Sequence, residues 1–465
     1  MENLPVLNFA ETMAGLPAQQ PDDGLDEAIR KALAARYDVV IVLDDDPTGT
    51  QTVYDVPVVT EWTVEAIRQE IRRDTELFYL LTNSRALSTA DMEKLLGRVG
   101  RNIRKVCDEL NKRFIIIIRG DSTLRGHFPE EEDELCRATG FEHVPHFIIP
   151  AFFEGGRYTI NDVHYVREGE RLLPAGQTPF AKDDSFGYRS SNLKEWVEEK
   201  TEGGISANEV LSISIDDLRS KVPLPLKEKL ESLPAEAQVI INAADYTDLK
   251  RAALAILSFT RFLQLRTSAS FIKALLGQPD RPLLKLKRKA EHGGLIVVGS
   301  HVPKTTEQLA HLQSNANLSE YEVDVRALLF EKPALASCDL AQKISKDLLA
   351  GKDVLLFTSR EVIITEGADA NLDIAAKVST YLEEVVAGLE VQPSFLLTKG
   401  GITSSRIATE SLGVKRALAL GQVQAGVPTW ELGPESKFPN MPFIIYPGNV
   451  GGEDALTSIM QNTIL

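Results

Sequence analysis

The 465-residue sequence is poor in cysteine, with Cys107, Cys136 and Cys338 far apart and no CxxC pair. That spacing excludes a disulfide framework and points to a reducing cytoplasm. Basic charge is also short, with 51 Lys and Arg against 67 Asp and Glu, a formal net charge of -16. Nucleic acids and anionic membranes recruit basic stripes, so neither is expected as a partner. No helix-turn-helix with basic flanks is visible. No apolar run approaches the length that spans a bilayer. The first residues lack a basic region followed by an apolar core, so no signal peptide is expected. GxxxxGK[ST] is absent and no clean GxGxxG follows a strand, which argues against a P-loop and a dinucleotide site. Pro145 separates His146 from His143 and argues against one shared helical face, and no other His/Cys constellation suggests zinc. There are no repeats and no low-complexity tracts.

What the chain does contain is a series of short apolar, β-branched runs, each emptying into a polar or glycine-bearing loop. Val39-Val40-Ile41-Val42-Leu43 runs into Asp44-Asp45-Asp46-Pro47-Thr48-Gly49. Leu77-Phe78-Tyr79-Leu80-Leu81 runs into Thr82-Asn83-Ser84-Arg85. Phe114-Ile115-Ile116-Ile117-Ile118 runs into Arg119-Gly120-Asp121-Ser122-Thr123-Leu124-Arg125-Gly126. Phe147-Ile148-Ile149 leads to Glu154-Gly155-Gly156-Arg157. Helical stretches alternate with these runs, so the expected class is α/β with mostly parallel sheets. Residues 277–292 are rich in Pro, Lys and Arg without apolar periodicity, and read as a linker. This gives an N-terminal domain over 1–276, opening with an arm over 1–21, and a C-terminal domain over 293–465. The arm is expected to lie over the surface or a partner. With the looser stretch 158–191, it hints at a homodimer.

In open α/β sheets, ligands bind beyond the carboxyl ends of strands. In the first domain those ends carry acids, arginines and hydroxyls. Two arginines, one aspartate and two hydroxyls within residues 119–125 suit a small, oxygen-rich anionic substrate. Three adjacent aspartates at a strand end are costly unless they hold a cation or bind hydroxyls. The second domain offers glycine instead. Val297-Val298-Gly299-Ser300, Lys399-Gly400-Gly401-Ile402-Thr403 and Pro447-Gly448-Asn449-Val450-Gly451-Gly452 each follow an apolar strand. Glycine lets the backbone approach a ligand and aim several N–H groups at it, and a following helix adds its positive end. Glu453 or Asp454 could face a hydrated magnesium ion. One domain for a polar small molecule and one for phosphates suits a kinase with its ligand cleft between them.

Four of these motifs together, Asp45-Asp46-Pro47-Thr48-Gly49, Asp121-Ser122-Thr123-Leu124-Arg125-Gly126, Lys399-Gly400-Gly401-Ile402-Thr403 and Pro447-Gly448-Asn449-Val450-Gly451-Gly452, resemble the four-carbon acid sugar kinase family. The resemblance runs from about residue 38 to the C-terminus. It implies a sugar-acid-binding domain followed by a nucleotide-binding domain. It also implies ATP-dependent phosphorylation of threonate, erythronate or a keto derivative, usually at the terminal hydroxyl; Mg²⁺ is expected with the ATP from general phosphoryl transfer. Carried over by motif, Asp45, Asp46, Arg119, Asp121, Ser122 and Arg125 would hold the acid sugar, with Thr123 in the last of these loops and Asn83 and Arg85 in the loop after Leu81. Ser300, Gly400, Gly401, Ile402, Thr403 and Gly448 would meet ATP, with Asn449, Gly451 and Gly452 beside them. The first motif departs from the family's usual Ala-Asp-Asp-Leu-Thr-Gly-Ala: Asp44, Pro47 and Thr50 replace Ala, Leu and the last Ala. The mechanism expected from general phosphoryl transfer has Arg119 or Arg125 on the substrate carboxylate. Asp45 or Asp46 is the proton acceptor, and Lys399 faces the transferred phosphoryl group. Two rivals share these loops: an ATP-dependent ligase that activates a carboxylate, and a non-catalytic sensor of sugar acid and nucleotide.

Overall fold

The computed structural model describes residues 4–221, 224–288, 291–299, 303–331, 335–360, 368–448 and 450–462. The chain forms two compact units. One comprises Met1–Val53 and Glu61–Arg281, the other Tyr54–Thr60 and Pro282–Leu465. In chain order, the strands of the first half are β1 (Leu7–Asn8), β2 (Val39–Asp44), β3 (Val56–Val59), β4 (Leu77–Leu81), β5 (Phe114–Arg119) and β6 (His146–Ile149). They continue with β7 (Arg157–Ile160), β8 (Val163–Glu168), β9 (Arg171–Pro174), β10 (Leu211–Ile213), β11 (Gln238–Ile241) and β12 (Gln264–Thr267). All but β3 belong to the first unit.

Among the described residues, the main sheet of the first unit runs β10-β11-β6-β12-β5-β2-β4, and its pairings are parallel. A parallel sheet covered on both faces wants continuously apolar strands. That is why β2, β4 and β5 are buried at every position. The chain passes from β2 out to β4 and then back across it to β5. The sheet therefore reverses its winding between β2 and β5, where loops part and leave a crevice. Asp44, the last residue of β2, stands in register with Arg119, the last of β5.

A smaller antiparallel sheet, ordered β1-β9-β8-β7, holds the stretch that looked loose in sequence. The N-terminal arm folds onto its own unit. Strand β1 pairs with β9, the Arg167 guanidinium lies 3.6 Å from the Phe9 ring centroid, and Gln19 donates to Asp245 and Asp248.

The second unit contains β13 (Leu295–Val298), β14 (Ser319–Val323), β15 (Val354–Thr358), β16 (Leu396–Lys399), β17 (Arg416–Gln424), β18 (Val427–Leu432) and β19 (Pro442–Tyr446). Its sheet order is β3-β17-β18-β19-β16-β13-β15-β14. The five strands from β19 to β14 are parallel, whereas β18, β17 and β3 extend the sheet antiparallel. Strand β3 is thus a piece of the N-terminal half inserted as an edge of the second unit. Here the winding reverses between β13 and β16, so the loops after β13, β16 and β19 gather at one edge.

Candidate functional site

In the first unit, a dense, buried charge network lies beyond the ends of β2, β4 and β5. Arg119 Nη1 is 3.4 Å from Asp44 Oδ1 and 3.3 Å from Asp45 Oδ1, and Nη2 donates to Gln51 Oε1 at 3.1 Å. Arg85, from the short helical turn after β4, reaches Asp46 at 2.5 Å and Asp121 at 3.3 Å, with its Nε 3.8 Å from Asp45. Arg125 pairs with Asp121 at 2.8 Å and approaches Asp183 at 3.6 Å. Six of the residues singled out in the sequence, Asp45, Asp46, Arg85, Arg119, Asp121 and Arg125, are therefore linked to one another.

The other members surround them. Thr123 donates its hydroxyl to Asp121, and Ser122 is buried with its carbonyl accepting from His164 Nε2 at 2.8 Å. Asn83 adopts a left-handed φ of 52° and donates its N–H to the Asp44 carbonyl at 3.2 Å. Leu124, at φ 68°, turns the 121–126 loop back on itself, with its N–H bonded to the Asp121 carbonyl. The glycine of the first motif has a steric reason: a Cβ on Gly49 would lie 2.0 Å from both Asp44 carboxylate oxygens.

The acids differ in protonation. Burial pushes Asp44 well above the usual carboxylate range, against the pull of Arg119. Burial likewise lifts Asp45 to about 6, against Arg85 and Arg119. Asp46 is also buried, but Arg85 and the Thr48 hydrogen bonds outweigh the burial and keep it low. In Asp121, burial is overcome by Arg125 and Arg85, which hold it well below the carboxylate range. Asp45 Oδ2 is buried without a hydrogen-bond partner. A carboxylate with an oxygen that accepts no hydrogen bond and a pKa near neutrality is suited to accept a proton.

Beneath these loops lies a layer that the sequence reading did not assign. Arg266 of β12 donates to Glu131 at 3.0 Å and Glu132 at 2.8 Å, while Ser84 Oγ donates to Glu131 at 2.7 Å. The signal available was a charged residue inside a short run at the expected spacing for a strand.

In the second unit, Lys399 ends β16 in register with Val298 and Tyr446. It is fully buried, donates to the Pro447 carbonyl at 3.2 Å, and lies 4.1 Å from the Tyr446 ring centroid. Among the described residues it has no carboxylate partner, and burial, with Lys304 nearby, lowers it to about 7. Gly400 follows at φ 114°, a conformation open to glycine, and leads into the helix Gly401–Arg406. Ile402 projects outward, and Thr403 Oγ1 would lie 3.1 Å from a Cβ placed on Gly299. Gln308, buried in the helix Pro303–Asn315, donates to the carbonyls of Val450 at 3.1 Å and Gly452 at 2.8 Å, pinning the loop after β19. Gly451 takes a left-handed φ of 83° in that loop. A Cβ on Gly448 would meet nothing within 4 Å, so that turn is open. Ser300 and Asn449 lie outside the described residues.

Glu453 and Asp454 are exposed, Asp454 accepting from Ser458 at the start of the helix Ala455–Asn462. No group of three or more His, Cys, Asp or Glu that could hold a metal occurs among the described residues. Magnesium in phosphate-transfer sites keeps several waters and is held by phosphates with one or two carboxylates, so such a group is not required for it. All three cysteines are free. Among the described residues, no helix is long and apolar enough to cross a membrane.

Two family models match the chain: a sugar-binding N-terminal domain over residues 40–275 and a nucleotide-binding C-terminal domain over residues 295–456. Fold and matches together define a protein that joins a sugar-binding domain to a nucleotide-binding one, as in sugar acid kinase-like proteins. The chain belongs to the four-carbon acid sugar kinase family, also known as DUF1537. A Haemophilus influenzae protein of that family has a similar structure, with TM-score 0.62 and 16% identity over 91% of this chain and 100% of its own. A Salmonella typhimurium LT2 protein, provisionally named a tRNA synthase, has TM-score 0.65 and 14% identity over 91% of this chain and 98% of its own. Likeness at this identity speaks to the fold alone. No curated protein matches the chain.

Two expectations follow. Gly49→Ala forces the Asp44 carboxylate out of its place and should lower stability by about 1–3 kcal/mol, the range for overpacking. In an Asp44→Ala background that penalty should shrink, which a double-mutant cycle of urea unfolding measures. The second concerns Lys399. Between pH about 7 and its ordinary value near 10.5, the unfolded chain binds a proton that the folded chain does not. Stability of the unliganded protein should therefore rise with pH across that window. Thermal unfolding of Lys399→Met should lose that component of the slope.

Proposed function

We propose that the protein is an ATP-dependent kinase that phosphorylates a hydroxyl, the terminal one, of a small sugar acid such as threonate, erythronate or a keto derivative. In this reading the sugar acid lies on the first unit and the triphosphate on the second. The observation that carries it is Asp45: a buried carboxylate whose Oδ2 accepts no hydrogen bond, lifted to about 6, set among arginines in the sugar-binding domain. The substrate hydroxyl gives its proton to Asp45 as its oxygen bonds to the γ-phosphorus and the bond to ADP breaks. Arg85 and Thr48 keep Asp46 ionised, so Asp46 serves to orient hydroxyls. On the nucleotide side, Lys399 and the amides around Gly400, Gly401 and Gly448 offset charge on the phosphoryl oxygens. Magnesium would come with the nucleotide, with Asp454 or Glu453 contacting it through water.

The test is ADP release across a panel of sugar acids. Wild type should form a stable sugar-acid phosphate, and Asp45→Asn should lower kcat by about 10²- to 10⁴-fold. Because Asp45 must be unprotonated to act, kcat/KM should fall as pH drops through about 6. An acyl phosphate trapped by hydroxylamine would instead establish a carboxylate-activating ligase. Binding without ADP formation across the panel would leave a sensor.

A further inference from the structure

The charges around the first unit's loops do not balance evenly. Arg119 already lies against two carboxylates, Arg85 against three and Arg125 against two. A substrate carboxylate directed at any of these would meet the oxygens of Asp45, Asp46 or Asp121 and be repelled. Arg157, the first residue of β7, is different. It is 6% exposed, and among the described residues no carboxylate pairs with it. Its Nη1 donates to the Gly155 carbonyl, and Nε is buried without a hydrogen-bond partner. Nε belongs to the Nε–Nη2 edge of the guanidinium, two parallel donors in the spacing that a carboxylate takes up bidentately.

The position of Arg157 ties it to the same site. The Phe180 ring has two guanidinium groups near it, Arg125 at 5.4 Å and Arg157 at 5.6 Å from its centroid. Next to Arg157 in β8, His164 bonds the Ser122 carbonyl, and Tyr188 bonds the Thr123 carbonyl at 2.8 Å. Asp121 and Arg125 are near enough to act on the charge of Arg157, and burial weakens its hold on its proton. A buried cation without an anion is costly, and such a group persists where a ligand supplies the missing charge.

We propose that Arg157 binds the carboxylate of the substrate through its Nε–Nη2 edge, and that this contact is what selects a sugar acid over the uncharged polyol. The inference rests on the sugar-acid reading of this site, and names the residue that makes the acid group obligatory. Arg119 and Arg125 then act by fixing Asp45 and Asp121, not by meeting the carboxylate.

Full-length wild type, Arg157→Met and Arg157→Lys would be compared by thermal shift and calorimetry. The probes are threonate and erythronate against threitol and erythritol, with ATP as a separate probe of the second unit. The expected result is a loss of about 10- to 100-fold in affinity for the acids in Arg157→Met, the range for a charged hydrogen-bonded pair. Polyol and ATP binding should be unchanged, and Arg157→Lys should recover part of the loss. Arg157→Met should also melt no lower than wild type without ligand, because it removes an uncompensated buried charge. A residue whose role was merely structural would lower the melting temperature and weaken acids and polyols alike, which overturns the proposal. Equal affinity of Arg157→Met and wild type for the acids also overturns it, while sugar-acid-dependent ADP release in wild type would leave the kinase reading intact. Acids that bind wild type but not Arg157→Met, without any ADP release, would uphold Arg157 and refute the kinase.

Discussion

The pairing of Asp44 with Arg119 across two adjacent parallel strands sets the terms for everything around it. Both residues are almost wholly buried at the point where the sheet reverses its winding. A carboxylate there is so costly that burial drives it toward its protonated form, and the guanidinium beside it must be shared with Asp45 and Gln51. The neighbouring aspartates then depend on a second arginine, Arg85, delivered by the loop after β4. Asp121 in turn draws on Arg85 and Arg125. Each loop at this edge supplies a charge that another loop needs. Correct folding of the strands and correct assembly of the polar site are thus the same event.

The outcome is a graded set of acids made from one repeated residue. Asp44, Asp45 and Asp46 are consecutive, yet their environments separate them into a carboxyl readily protonated, one poised near neutrality and one firmly ionised. The distinction does not come from chemistry of the side chain. It comes from how many cationic and N–H donors each reaches, and at what distance. The second unit applies the same physics with the sign reversed: Lys399 is a buried ammonium without a carboxylate, lowered to about 7. In both units these groups sit at the carboxyl edge of a strand next to a winding reversal.

The sequence was most readable where strands are buried on both faces. The runs ending at Leu43, Leu81, Ile118, Val298 and Tyr446 are continuously apolar because helices cover the sheet on each side. The loops after them carry their polar residues conspicuously. Strands with other environments were harder to see. Strand β17 alternates buried and half-buried positions, uses small residues and is interrupted by irregular register near Gly421. Strand β3 contains Pro57, and β12 reads as polar because Gln264 and Arg266 are buried through side-chain pairing. For the site, acids and bases at strand ends could be picked out, but who pairs with whom could not. Arg157 begins a strand instead of ending one, and its lack of a carboxylate ion pair among the described residues is a property of space, invisible in a string of letters.

Strand β3 has a consequence for how the molecule can be taken apart. The chain leaves the first unit after Val53, contributes one strand to the second, and returns at Glu61, so three covalent crossings lace the halves together. No single cut yields both pieces whole. A fragment beginning at Pro282 would lack the partner that satisfies β17 through Arg416 to Ala419, leaving a raw ladder of amides and carbonyls. Such an edge recruits foreign strands. The modularity suggested by two ligand-binding domains is therefore not carried by the chain's path, which crosses between the units three times.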